Sequence, residues 1–194
     1  VFFPLLGALI AGLFGRIIGD RPSELISSGL LILSALMSCI AFVDVGLNGE
    51  AVAVNVLQWI HSGSLHIDWV LRIDTLTAVM LVVVTCVSSM VHVYSIGYMS
   101  HDPARPRFFA YLSLFTFMML MLVTADNFVQ RFFGWEGVGL ASYLLIGFWY
   151  KKPSANAAAI KAFVVNRVGD FGLILGMSAI YFTVGSLEFD TVFA

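Results

Sequence analysis

The sequence predicts an all-α, polytopic membrane helix bundle, and three observations support this prediction. Hydrophobic residues make up 60% of the 194 residues and charged residues only 11%, whereas a soluble domain carries roughly 25% charged residues. The mean hydropathy is +0.95. About six apolar stretches approach the ~20 residues that a membrane-spanning helix needs.

The predicted spans follow one another along the chain and are separated by cap and breaker residues. Pro22 and Ser23 are expected to break the chain and cap the second span, and Asp126 and Asn127 to cap the fifth. The fourth and fifth spans must be antiparallel neighbours, because only a few residues connect them. The predicted ranges are 1 or 2 to 18, 25–43, 76–94, 108–124, 128–150 and 157–183, the last opened by Pro153 and Ser154.

One long loop, residues 44–74, separates the second and third spans. Apolar residues alternate with others over 51–59 and again over 65–73, and His61, Ser62, Gly63 and Ser64 lie between the two runs. Two runs of period two around a glycine-containing turn are typical of a β-hairpin.

The distribution of lysine and arginine predicts the orientation. The first, third and fifth loops hold six of the ten basic residues, in the pairs Arg16 and Arg21, Arg105 and Arg107, and Lys151 and Lys152. The 44–74 loop holds only Arg72, among Asp44, Glu50, Asp68 and Asp74. The basic side is therefore expected to face the cytoplasm, or the matrix of a mitochondrion, with the N-terminus and the hairpin on the other side.

Ionisable residues within the last two predicted spans are the candidate functional site. At a rise of ~1.5 Å per residue, Glu136 lies ~21 Å from the inner end of the fifth span, and Asp170 ~20 Å from that of the sixth. Arg167 and Asp170 are three residues apart and can meet on one helix face. Lys161 lies only ~6 Å from the inner end.

These charges fit either of two roles. Insertion scales put each charge at the membrane centre at ~2.5–3.5 kcal/mol, so Glu136, Arg167 and Asp170 together cost ~8–10 kcal/mol before pairing. An ion pair could simply hold helices together, but small residues and hydroxyls do so at lower cost. Proton transfer is the chemistry that such a group offers, because a neighbouring cation controls the protonation of a buried carboxylate.

Other residues give weaker signals. His92, near the inner end of the third span, could relay protons or could be an interfacial residue hydrogen-bonded to water. Gly134, Gly137 and Gly139 flank Glu136 and permit close helix approach or a water path. Neither the net charge of −2 nor any motif indicates nucleic-acid binding. Cys39 and Cys86 lie in apolar runs and indicate neither a disulfide nor a metal site.

Several runs together closely resemble the largest antiporter-like subunit family of respiratory complex I. The most specific is Gly134-Trp135-Glu136-Gly137-Val138-Gly139-Leu140, continued by Ser142 to Phe148. The others are 108–111, 125–127, Lys161 to Asp170, and Val91-His92 with Tyr94-Ser95 and Tyr98-Met99. The resemblance covers essentially the whole chain.

The resemblance implies a multi-helix subunit built on two inverted repeats that conducts protons through a chain of lysines and acids. It implies that Glu136 is the family's membrane glutamate, whose usual lysine partner lies on a seventh helix. It also implies that Arg167 and Asp170 are a family ion pair and that His92 is at a family position. Residues 1–107 are then the front helices with the hairpin loop, and residues 108–194 begin the first repeat. We expect the chain to be the front part of something longer.

The predicted function is proton translocation coupled to electron transfer from NADH to quinone. NADH, flavin, iron–sulfur clusters and quinone are expected to bind other subunits, and no cofactor or metal is expected in this chain. The expected partners are the lipid bilayer and other membrane subunits, especially the adjacent antiporter-like subunit, in a bacterial inner membrane or a mitochondrial one. The alternatives are a subunit of a multi-subunit sodium/proton antiporter and a structural membrane anchor. A haem-bearing subunit needs two axial ligands at one depth, and His92 is the only candidate inside a span.

Overall fold

A computed structural model of the chain describes residues 1–47, 49, 51–63 and 65–194. Glu50 of the acidic loop and Ser64 of the predicted turn lie outside the described residues. The helices are α1 (Phe3–Ile18), α2 (Asp20–Ala41), α3 (Thr75–Tyr98), α4 (Arg105–Val123), α5 (Phe128–Ile146), α6 (Pro153–Val184) and the short α7 (Phe189–Val192), with strands β1 (Val52–Ser62) and β2 (Leu65–Ile73) between α2 and α3.

The start of α2 corrects the prediction that Pro22 breaks the chain before the second span. The helix begins at Asp20 and holds Pro22 in its first turn, where the missing N–H has no helical partner to lose. Gly19 connects α1 to α2 with φ of 95°, a conformation that favours glycine. Residues Phe42–Gly46 continue α2 as a π-helical turn.

Polar and small residues fill much of the interface among α1, α2, α3 and α4. The buried face of α2 is rich in serine, and α1 packs through Gly7, Ala8, Ala11 and Gly15. A Cβ added to Gly15 would lie 2.5 Å from Cβ of Pro106 on α4, so the two helices approach closely. Without water to drive association, membrane helices commonly pack through such small and hydroxyl-bearing residues.

The predicted hairpin is confirmed. Strands β1 and β2 are antiparallel, with His61 opposite His66 and register shifts after Asn55 and Gln58. Strand β2 lies against the turn between α4 and α5, where the backbone N–H of Arg72 donates to the carbonyl of Thr124 at 2.9 Å. We call this the hairpin end of the bundle.

Side chains also hold the hairpin against the bundle. The side chain of Asn127 donates to the backbone carbonyl of Asp68 at 3.0 Å, and the backbone N–H of Val70 donates to Gln130 Oε1 at 3.2 Å. The hairpin is therefore packed onto the end of α4 and α5, which also fixes the start of α5.

The six predicted spans correspond to helices α1 to α6, but not all six helices have the length and hydropathy of a membrane span. Among the described residues, four helical segments are long and apolar enough to cross a membrane: Asp20–Gly46, Thr75–Tyr98, Arg105–Val123 and Pro153–Val184. Helix α1 has 16 residues, and α5 has 19 and ends at Ile146, four residues before the predicted end. The structure thus supports a mostly helical chain with four candidate spans.

Candidate functional site

Helices α5 and α6 place the predicted carboxylates side by side. Asn127 caps α5 as predicted, since its side chain accepts a hydrogen bond from the backbone N–H of Gln130 at 2.8 Å. The buried residues of α6 are Ala159, Asp170 and Met177. Their spacing forms one narrow stripe on a helix that is otherwise largely exposed, and Asp170 lies in the middle of it.

The two acidic residues share one cation. Nη1 of Arg167 lies 2.6 Å from Oε1 and 2.5 Å from Oε2 of Glu136. The same nitrogen lies 3.6 Å from Oδ2 of Asp170, three residues further along α6. This confirms that Glu136 and Asp170 lie at similar depth and that Arg167 and Asp170 meet on one face. We call Glu136, Arg167 and Asp170 the ion triad.

Two aromatic residues complete the surroundings of the ion triad. The indole Nε1 of Trp135 donates to Oδ1 of Asp170 at 2.9 Å, so both oxygens of that carboxylate face a donor. The guanidinium carbon of Arg167 lies 4.5 Å from the ring centroid of Phe163, a geometry that favours cation–π attraction. Arg167 is thus positioned by two carboxylates and one aromatic face.

The charges of the ion triad do not balance. Two ionised carboxylates face one guanidinium, which leaves one negative charge in excess. One bound proton or a second cation would balance this charge. Asp170 is the most enclosed member, with 6% of its side chain exposed against 21% for Glu136 and 46% for Arg167.

Lys161 and His92, the other two predicted site residues, lie outside the ion triad. Lys161 is exposed on α6, six residues before Arg167 and therefore ~9 Å from it along the helix axis. It makes no ion pair with any residue that the structure describes. His92 lies on α3 and is fully buried.

Both ring nitrogens of His92 are hydrogen-bonded to protein groups. Its Nδ1 lies 2.8 Å from the carbonyl oxygen of Ser88, and its Nε2 lies 3.1 Å from Oγ of Ser113 on α4. Since a carbonyl only accepts, Nδ1 of the neutral ring carries the proton and Nε2 accepts from Ser113. Ser88 Oγ lies 2.5 Å from Oγ1 of Thr116, so a second polar contact joins α3 and α4 next to His92.

The glycines before and after Glu136 have a packing role. A Cβ on Gly134 would lie 2.6 Å from backbone atoms of Leu122 on α4, and one on Gly137 would clash with the side chain of Met118. Close contact with α4 thus sets the position of the α5 segment that carries Glu136.

Two polar residues at these interfaces were not predicted. Trp135 lies within the most specific motif but received no role, although membrane tryptophans concentrate at the interfaces and a tryptophan inside a predicted span is therefore a signal in itself. Glu24 is 4% exposed and lies 3.7 Å from Nη1 of Arg105, whose Nη2 lies 3.5 Å from Asp20. Placing the start of the second span after Pro22 had left Glu24 in a loop.

Two family models match the chain. Residues 59–109 match "NADH-Ubiquinone oxidoreductase (complex I), chain 5 N-terminus", and residues 125–194 match "NADH:quinone oxidoreductase/Mrp antiporter, TM". The second match contains the whole ion triad, and the first contains His92.

Curated relatives are similar along the whole chain. NADH-quinone oxidoreductase subunit L of Rhodobacter capsulatus is 57% identical over 98% of this chain, and NADH-ubiquinone oxidoreductase chain 5 of Chondrus crispus is 51% identical over 100% of it. The subunit L of Rickettsia bellii is 54% identical over 100%. The chain spans 28%, 29% and 30% of these relatives, respectively.

Two solved structures share the fold. The archaeal membrane-bound sulfane sulfur reductase has a chain that matches 98% of this one with a TM-score of 0.84 at 19% identity, and the match covers 38% of that chain. The Mrp complex from Dietzia sp. DQ12-45-1b matches 95% of this chain with a TM-score of 0.78 at 21% identity, over 19% of its own.

Proposed function

The chain belongs to the family of NADH-quinone oxidoreductase subunit L and NADH-ubiquinone oxidoreductase chain 5, and from this premise we propose that it contributes proton translocation to a proton-pumping NADH:quinone oxidoreductase, respiratory complex I. The identity to curated relatives extends over essentially the whole chain. Because the chain spans under a third of those relatives, the coupled activity is that of a longer subunit within a complex.

The shared guanidinium nitrogen in the ion triad is the observation that supports this proposal most directly. Arg167 Nη1 contacts Glu136 and lies within 3.6 Å of Asp170, so a movement of this nitrogen toward one acid changes its distance from the other. A carboxylate that loses its cation in a poorly solvated site binds a proton more readily. Movement of Arg167, or approach of a second cation, would therefore load and release a proton at Glu136.

The other predicted site residues take supporting roles in the proposal. Asp170 and Arg167 modulate Glu136, and Lys161 is a cation on the entry side. His92 relays protons by way of the Ser113 hydroxyl to which it is hydrogen-bonded. The further partner of Glu136 is a lysine beyond residue 194, as the family resemblance implies.

Replacement of Glu136 tests the proposal in the full-length subunit within the assembled complex. We expect Glu136→Gln to remove most NADH-driven proton pumping, because glutamine cannot bind and release a proton, and Glu136→Asp to retain much of it. Assembly is checked in parallel by the yield of the purified complex and by NADH oxidation with a soluble acceptor. A fully assembled Glu136→Gln complex that pumps normally would refute the role of Glu136 and favour a structural anchor.

A cation/proton antiporter subunit is the second candidate. The model that matches residues 125–194 covers both "NADH:quinone oxidoreductase/Mrp antiporter" proteins, and the Mrp complex shares the fold. The two functions separate in membrane vesicles that contain the full subunit with its native partners. Proton movement that requires NADH and quinone supports the first, and sodium/proton exchange without NADH supports the second.

The remaining parts of the proposal concern placement. We propose that α1 to α6 all cross the inner membrane of a bacterium, or of a mitochondrion, with the N-terminus and the hairpin end outside. Residues 1–107 form the front helices and residues 108–194 begin the first antiporter-like repeat. Adjacent membrane subunits of the complex, above all the neighbouring antiporter-like subunit, are the partners. NADH, flavin, iron–sulfur clusters and quinone bind elsewhere in the complex, and the redox steps take place there.

A further inference from the structure

Trp135 makes a hydrogen bond that the proposed function does not yet use. Its indole Nε1 donates to Oδ1 of Asp170 at 2.9 Å, while the other oxygen of that carboxylate faces Arg167. The carboxylate is therefore held from both sides by donors on different helices, α5 and α6.

The direction of the indole N–H is specific. Trp135 is 48% exposed and lines a cavity of about 790 Å³ together with Arg72, Arg131 and Leu173. An N–H group beside such a cavity could be satisfied by water. Here it points to the most enclosed carboxylate of the ion triad, which is 6% exposed.

The sequence positions of the four residues explain this geometry. Trp135 and Glu136 are neighbours on α5, and Arg167 and Asp170 are one turn apart on the antiparallel α6. Glu136 reaches Arg167 and Trp135 reaches Asp170, so two contacts join the same two helix turns. A shift of α6 relative to α5 would therefore change the Glu136–Arg167 and Trp135–Asp170 distances together.

From these contacts we infer that Trp135 is a positioning residue that holds the Asp170 carboxylate where Arg167 can be shared between Asp170 and Glu136. Without the indole donor, Asp170 Oδ1 loses the hydrogen bond that holds it from α5, and the carboxylate can rotate or pair more fully with Arg167. Either change alters the competition for the guanidinium that controls Glu136. This inference rests on the proposed function and adds a residue to its site.

The test uses the full-length subunit in the assembled complex. Trp135→Phe keeps an aromatic ring and removes the N–H, and we expect it to lower proton pumping per NADH about two- to tenfold, since hydrogen bonds to charged groups are the stronger ones. The matched control is Trp149→Phe, because Trp149 Nε1 also donates to a carboxylate, that of Asp102 at 3.0 Å, but lies beyond the C-terminal end of α5, away from the ion triad. The control should pump normally.

A double replacement shows whether Trp135 acts through Asp170. If it does, Trp135→Phe combined with Asp170→Asn pumps no worse than Asp170→Asn alone, because residues that act as a unit are not additive. Multiplied losses in the double variant would overturn the inference. Ultraviolet resonance Raman spectra give an independent readout. The indole N–H marker band of Trp135 should shift in Asp170→Asn but not in the control Trp149→Phe.

Failure of the inference and failure of the proposed function give different results. If Glu136→Gln abolishes pumping while Trp135→Phe pumps normally at full assembly, the ion triad functions without the indole and the inference is wrong. If Glu136→Gln itself pumps normally, the proposed function fails first. If Trp135→Phe does not assemble, Trp135→His, which keeps a ring N–H donor, takes its place. An assembled Trp135→His complex that pumps supports the inference, and an assembled one that does not pump, or failure of both variants to assemble, contradicts it.

Discussion

Nη1 of Arg167 on α6 lies 2.6 Å from Oε1 of Glu136 on α5, so the carboxylate in the middle of the fifth helix is paired within the chain. The family resemblance implies a lysine on a seventh helix as the usual partner of Glu136. The structure adds a nearer cation, which a later lysine would have to share or displace.

The identity of the cation at position 167 should matter more than its charge alone. We predict that Arg167→Gln removes most proton pumping and that Arg167→Lys retains an intermediate share, because an ammonium group lacks the planar guanidinium that stacks on Phe163. Pumping per NADH in the assembled complex is the measurement. Lys161→Gln is the control on the same helix and should lower pumping less than Arg167→Gln does. An equal loss of pumping in these two variants would contradict the central role of Arg167.

His92 should contribute through its hydrogen bonds. We predict that His92→Phe lowers the free energy of unfolding by about 1–3 kcal/mol, because it leaves Ser113 Oγ without its ring partner. We also predict that it lowers proton pumping in the fully assembled complex. Both are compared with Ser113→Ala, which removes the hydroxyl and keeps the ring. Lower stability with unchanged pumping would leave His92 a packing role only.

Gly134 should tolerate no side chain. Its added Cβ would lie 2.6 Å from the backbone of Leu122, so Gly134→Ala must separate α4 from α5, and overpacking typically costs about 1–3 kcal/mol. We predict a lower assembly yield and a lower melting temperature. Gly29→Ala, where nothing lies within 4 Å, is the matched control and should assemble at least as well. Normal assembly of Gly134→Ala would show that the two helices are not in close contact there.

The ion pairs at the hairpin end should persist at high pH. Arg72 Nη1 donates to Asp190 at 2.6 Å and to Asp126 at 3.3 Å. The hydrogen bond to Asp190 raises the pKa of Arg72 above its ordinary value, and an ordinary arginine is already protonated throughout the physiological pH range. A raised pKa means that the stabilisation is complete below the unfolded-state pKa and is lost only as pH rises through the folded one, beyond the neutral and mildly alkaline range.

We therefore predict that Arg72→Gln lowers stability by about 1 kcal/mol or less, by the same amount at pH 7 and pH 9. Protection of the hairpin from protease, measured at both values, is the readout. A difference that disappears at pH 9 would mean that a group other than Arg72 controls the cluster.

The sequence allowed three features to be predicted, because each depends on a local property. Hydropathy predicts the order of the helices, and alternation with period two predicts the hairpin. The rise per residue predicts that Glu136, Arg167 and Asp170 meet. The start of α2 could not be predicted, since Pro22 is a breaker within a helix but is tolerated in its first turn. The role of Trp135 could not either, because the indole N–H finds its acceptor 35 residues away. Depth along two helices can be counted, but rotation about their axes depends on contacts such as that of Gly134 with Leu122.

Infrared difference spectroscopy of the assembled complex reports directly on whether Glu136 changes its protonation during turnover. Spectra taken with and without NADH should contain a C=O stretching band of a protonated carboxylic acid that is present in the unmodified complex, altered in Arg167→Lys and absent in Glu136→Gln. Identical difference spectra for the unmodified and Glu136→Gln complexes would show that Glu136 keeps one protonation state throughout, and would contradict its assignment as the acid that loads and releases the proton.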